Sequence, residues 1–176
     1  SGTGAVTKAQ RISRTLNKKE FIVSVVGSWH GSVDSLLFQP DKKLKPRALS
    51  DGLSSNYKKK IIFIPYNNIE ISRKILNKNK KKINSIIIEP IQASLPLNNS
   101  KKYLKFLENF CAKNNTTLIF DEMITAIRSD KNSVQKNYNI KPGITTIGKI
   151  IGGGMPIGII GISKKVYQMI KNKKIF

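Results

Sequence analysis

Four short apolar runs constrain this chain more than any other feature: "FIVSVV" (residues 21–26), "IIFIP" (61–65), "SIIIEP" (85–90) and "TTLIFDE" (116–122). Each is rich in β-branched residues and almost unbroken in apolar character. A strand with one wet face alternates apolar and polar residues, whereas an unbroken apolar strand is covered on both faces, as in a parallel sheet. Between the runs lie stretches of helical period. Residues 3–16 carry Ala5, Ala9, Ile12 and Leu16 at spacings of three and four, and residues 68–76 are similar. Residues 100–113 set Leu104, Leu107 and Cys111 on one face, with Ser100 expected as N-cap. A last strand, 157–162, precedes a helix from Ser163. The rhythm predicts a single α/β domain with a mostly parallel sheet and helices on both faces. Residues 39–60 show no period and read as a long surface loop, a type that often serves as a lid or binding segment.

Composition narrows the function classes. The formal charge is +22, which invites a nucleic-acid reading because lysines displace counterions from phosphates. The excess, however, is 27 lysines against 5 arginines, scattered through every segment together with 27 isoleucines and 16 asparagines. Lys, Asn and Ile are what an AT-rich genome encodes where selection is loose. Base readout uses arginine forks, single-strand binding uses interleaved aromatics, and the lysine runs have neither. The charge is therefore read as compositional, with no specific nucleic-acid partner; a catalytically inert, basic nucleic-acid-binding module is the rival reading. The longest apolar run, residues 150–162, is broken by glycines and Pro156, too short for a bilayer span of roughly 20 residues. No membrane association is expected. One cysteine, Cys111, excludes an intrachain disulfide and suits a reducing cytoplasm.

Ligands of doubly wound sheets collect beyond the carboxyl ends of the strands. Glu89 and Asp121 stand at two such ends. Alone, a strand-end Asp reads as a turn or cap; Asp121 closes an apolar run, where an unpaired carboxylate is costly, so it calls for a cationic partner. "SGTGAV" (1–6) opens a helix with hydroxyls around a glycine, either an ordinary cap or a phosphate cradle. "GSWHG" (27–31) sets the only tryptophan beside the only histidine. It reads either as a core tryptophan with a surface histidine, or as an exposed aromatic that stacks on a planar ligand. "GKIIGGGMPIG" is not a P-loop, because Lys149 precedes the glycines and Ile150 follows it. One His with one Cys builds no ordinary zinc site, so no metal is expected. Lys149 stands alone in an apolar, glycine-rich setting, where burial would lower its pKa and make the amine nucleophilic. Phosphate cradle, aromatic plate, acid and amine together are what pyridoxal phosphate requires.

The same motifs, with "IIIEP" (86–90), "LIFDEMITAIR" (118–128) and "TTIGKIIGGGMPIG" (145–158), resemble the class III pyridoxal-phosphate aminotransferases, especially their glutamate-1-semialdehyde 2,1-aminomutase branch. The resemblance covers essentially the whole chain. It implies the large domain of fold-type I transferases. It implies that Lys149 is the Schiff-base lysine that also moves protons, and that Asp121 pairs with the pyridine nitrogen. Ser1, Gly2 and Thr3 would bind the phosphate, with Trp29 stacked on the ring and Met123 on the opposite face. His30, Glu89 and Ser94 would lie near the site. Four departures from the family pattern stand out: Gly4 replaces an acidic residue, Ser94 an asparagine and Ala126 a glycine, and "IQASLPL" replaces a glycine-containing segment. They leave open a relative that acts on another amino acid, amino-ketone or amino-sugar. The resemblance further implies that residues 1–176 are a central cofactor domain, with an N-terminal segment and a C-terminal small domain outside them. The whole would be a cytoplasmic homodimer acting on a small amine or keto substrate.

Overall fold

The computed structural model describes residues 1–96, 99–128 and 132–175. The chain opens with helix α1 (Gly2–Leu16) and strand β1 (Phe21–Val25), followed by a small hairpin, β2 (Phe38–Pro40) and β3 (Pro46–Ala48). Helix α2 (Ser55–Lys60) leads into β4 (Ile61–Ile64), and α3 (Ile69–Asn79) into β5 (Ile83–Ile88). Then come α4 (Lys101–Lys113), β6 (Thr117–Asp121), α5 (Val134–Tyr138) and β7 (Ile144–Gly148). A 3₁₀ turn (Lys149–Gly152), β8 (Gly158–Ile162) and α6 (Lys164–Ile170) complete the described chain. The main sheet has the order β4-β1-β5-β6-β7-β8. All neighbours are parallel except β7 and β8, which are antiparallel. The expected α/β architecture is therefore the one that forms.

Why the apolar runs are unbroken is plain in β5, which is buried at all six positions. Its side chains alternate between two cores. Ile86 and Ile88 join Leu76, Leu104 and Leu107 of α3 and α4 on one face. Ile87 joins Ala5 and Ala9 of α1 on the other, with Ile119 of β6. Asn84 is the polar exception. Its Oδ1 accepts from the Ser13 hydroxyl, and its Nδ2 donates to Ser13 O at 3.1 Å and Asn17 Oδ1 at 2.8 Å, which ties α1 to β5.

Several sequence expectations need correction. Residues 39–60 are not a featureless loop: they contain the β2–β3 hairpin and α2. Asp41 makes the turn, because its Oδ1 accepts from the amides of Lys43 and Lys45 at 2.8 and 2.9 Å. Strand β7 has no counterpart in the sequence reading, since its threonines masked the apolar pattern. Ser100 occupies the N-cap position of α4 but does not cap it; its hydroxyl donates to Pro90 O at 2.8 Å instead. Asn68 is a working cap, its Oδ1 accepting from Ile71 N at 3.0 Å. Asn68→Ala is expected to cost about 1 kcal/mol, read as a shift in the urea midpoint.

The strand order also places the site. From β1 the chain crosses to β4 on one side and then returns past β1 to β5 on the other. The segments leaving the carboxyl ends of β1 and β5 stay together there, with Gln92 Nε2 donating to Val26 O at 2.7 Å.

Candidate active site

Four stretches of chain converge at the carboxyl end of the sheet: the first turn of α1, the segment after β1, the end of β6 and the start of the 3₁₀ turn after β7. They enclose a pocket of ≈ 320 Å³. Ser1, Gly2, Thr3, Trp29, His30, Asp121, Met123 and Lys149 all line it. Larger cavities of ≈ 410 and ≈ 630 Å³ lie at the opposite edge, where strands begin, and contain none of these residues. Chemistry, not size, marks the site.

Asp121 ends β6 and is 2% exposed. Its Oδ1 accepts from Met123 N at 3.2 Å and Thr146 Oγ1 at 3.3 Å. Its Oδ2 lies 2.7 Å from Nδ1 of His30, the histidine next to Trp29. An ionised carboxylate only accepts, which puts the His30 proton on Nδ1. Three of roughly four acceptor directions on the carboxylate are then used, and one on Oδ2 is left for the pocket. His30 is 5% exposed and Trp29 57%. The reading with a core tryptophan and surface histidine is thus reversed: the indole projects beside the pocket, and the imidazole is buried beneath it.

At the first turn of α1, Ser1 Oγ accepts from Gly4 N at 3.1 Å, which leaves its own hydrogen free to donate. The amides of Gly2 and Thr3 have no intrahelical acceptor, as at any helix start. Two glycines let other chain segments reach this turn. A Cβ on Gly31 would stand 2.5 Å from Thr3 Oγ1, and a Cβ on Gly158 would overlap the carbonyl oxygen of Ser1. Strand β8 therefore seats the turn from one side and the segment after β1 from the other.

Lys149 departs from expectation. It is exposed, so burial does not explain it. It follows β7 at φ 51°, in the left-handed region, and begins the 3₁₀ turn. The glycine-rich stretch that follows lies on the surface rather than in a core, because Gly153 and Gly154 turn it through positive φ and carry it out past the sheet end. Glu89 and Ser94 do not line the pocket but bond to the segment that does. Glu89 accepts from Trp29 N at 2.5 Å and Ala93 N at 3.0 Å, while Ser94 Oγ donates to Gly27 O at 2.9 Å. Sequence reasoning missed Thr146, Gln92 and Glu122. Glu122 is fully buried and accepts from Val134 N at 2.8 Å, Gln135 N at 3.1 Å and Thr125 Oγ1 at 3.0 Å. A second acid directly after Asp121 was the available signal.

The class III aminotransferase family model matches residues 1–174. The chain belongs to this family. Over 173 residues it is 36% identical to the glutamate-1-semialdehyde 2,1-aminomutase of Thermosipho melanesiensis, covering 97% of this chain and 41% of that protein. An omega-transaminase from Sphaerobacter thermophilus superposes with a TM-score of 0.86 at 28% identity, over 94% of this chain and 40% of that one. A transaminase with PLP bound shares the fold, with a TM-score of 0.87 at 24% identity over 99% of this chain and 41% of its own. This class III aminotransferase chain thus spans about 41% of the length of such a relative.

Proposed function

We propose that the protein moves an amino group by means of pyridoxal phosphate, with glutamate-1-semialdehyde or a close amino-ketone as substrate. The observation that carries this reading is the convergence of a helix-start cradle, an exposed indole, a buried carboxylate with one open acceptor and a lysine on one pocket. The residues fit the cofactor: the cradle offers hydroxyls and free amides to a phosphate, and Oδ2 of Asp121 offers its last lone pair to a ring N–H. When bound, pyridoxal phosphate supplies an aldehyde that takes up an amine and a ring that draws electrons from the carbon bearing it.

The chain's own residues do the rest. Ser1, Gly2 and Thr3 would anchor the phosphate, and Trp29 and Met123 would hold the ring. His30 Nδ1–H and Thr146 Oγ1–H fix the Asp121 carboxylate, so that it would meet a ring nitrogen without reorganising. Lys149 Nζ would hold the cofactor through its amine and, when free, would take a proton from the substrate carbon and return it. In this reading residues 1–176 are the central cofactor domain of a cytoplasmic homodimer. The exposed Ile150, Met155, Ile157 and Ile159 beside the pocket favour pairing of this rim with a second copy. The lone thiol of Cys111 is in keeping with a reducing compartment.

Titration with pyridoxal phosphate tests the reading. Wild type should develop a visible absorption band with saturable binding. Asp121→Ala should weaken binding by about tenfold or more, because the ring nitrogen loses its charged partner. A chain that is folded but gives no saturable band would sink the reading.

A further inference from the structure

Trp29 raises a mechanical question. A side chain that is 57% exposed is not held in place by packing. To act as a stacking plate it needs a rigid backbone, yet it follows Gly27, which turns at φ 87° in the region that only glycine enters freely. Its support comes from the segment after β5. Glu89 Oε1 accepts from Trp29 N at 2.5 Å, and Gln92 Nε2 donates to Val26 O at 2.7 Å and Ser28 Oγ at 3.1 Å. Ser94 Oγ donates to Gly27 O at 2.9 Å. Every residue from Val26 to Trp29 is thereby held by a side chain of residues 89–94. Gln92 is 2% exposed and packs so closely on Gly27 that a Cβ there would lie 3.1 Å from its Oε1.

Glu89 carries the sharpest evidence. It is 5% exposed, and its carboxylate takes only backbone donors, Trp29 N and Ala93 N, with no ion pair among the described residues. Burying a carboxylate with no cation beside it costs free energy, which the two backbone hydrogen bonds it accepts offset. What the carboxylate provides is geometry: its two oxygens hold the segments after β1 and β5 at a fixed separation.

We propose that Glu89, Gln92 and Ser94 form a clamp that positions Trp29 for stacking on the cofactor ring, acting from behind the pocket without touching the ligand. The role of Trp29 in it rests on the proposed function; the clamp itself is testable without cofactor. Because the chain has one tryptophan, its emission reports Trp29 alone. In the cofactor-free chain, Glu89→Gln puts an amide N–H against a backbone N–H, and Gln92→Leu removes both donors. Each variant should enlarge the fast local component of Trp29 depolarisation. With pyridoxal phosphate, each should reduce emission quenching and weaken binding about tenfold, the cost of ordering a loosened aromatic.

A purely structural role would lower melting temperature while leaving Trp29 depolarisation unchanged in the folded variants, and that result overturns the clamp. If the buried substitutions prevent folding, Ser94→Ala at an exposed side chain decides: unchanged depolarisation there also overturns it. If wild type fails to bind pyridoxal phosphate, the proposed function falls, while the depolarisation comparison still decides the clamp on its own.

Discussion

Lys149→Ala is expected to abolish covalent capture of pyridoxal phosphate while leaving the fold intact. Borohydride reduction followed by mass spectrometry should find the cofactor on wild-type Lys149 and nowhere on the variant. The physical case is positional. Among the described residues Lys149 is the lysine that lines the pocket, and the other lysines lie elsewhere on the surface. The fold should survive because the side chain is exposed and both residues are L-residues at φ 51°, so the local backbone cost hardly changes. Amino transfer, measured with the proposed substrate, should fall at least about 10³-fold, since the variant loses a positioned acid–base group as well as the attachment point. Capture at several surface lysines in wild type and variant alike would refute the assignment.

Glu122→Ala should produce the largest loss of stability, about 3 kcal/mol by urea unfolding, with α5 released from β6. The carboxylate terminates the first turn of α5 by accepting from Val134 N and Gln135 N, and removing it leaves both donors unpaired beside a buried surface. Burial raises the Glu122 pKa, and the hydrogen bonds from Val134, Gln135 and Thr125 offset this only in part. The sign for stability follows from linkage. The folded state holds the proton more tightly than the unfolded chain, whose glutamate titrates near 4.5. This contribution is full below that value and is lost as pH rises through the higher folded value. Glu122→Gln cannot titrate, so the stability of wild type relative to this variant should decline as pH rises from 4.5 upward. A pH-independent difference would show that Glu122 is not the titrating group.

Legibility of the site varied residue by residue. Asp121 and Lys149 stood out because a charged residue ended or interrupted an apolar pattern, which is a local signal. Trp29 and His30 were legible as a pair but not in their roles. Which of two neighbours turns inward depends on the carboxylate that meets it, and Asp121 lies 91 residues away. Lys149 was expected to be buried because its neighbours are apolar; a left-handed turn and two positive-φ glycines carry that stretch outward instead. Gln92 and Thr146 gave no sequence signal, since their partners, Val26 O and Asp121 Oδ1, come from other strands.

The sequence by itself determined the α/β class, the apolar strands β1, β4, β5 and β6, and the helices α1, α3 and α4. Unbroken β-branched runs demand burial on both faces, and helical periods between them supply the cover, so a mostly parallel sheet follows from short-range chemistry. Only the tertiary structure decided the order β4-β1-β5-β6-β7-β8, the addition of β7 and the antiparallel β8, and therefore which strand ends meet. The pocket and its clamp exist because that order brings the ends of β1, β5 and β6 together. Contacts of that kind form between side chains and backbone groups far apart in the chain, which no local pattern encodes.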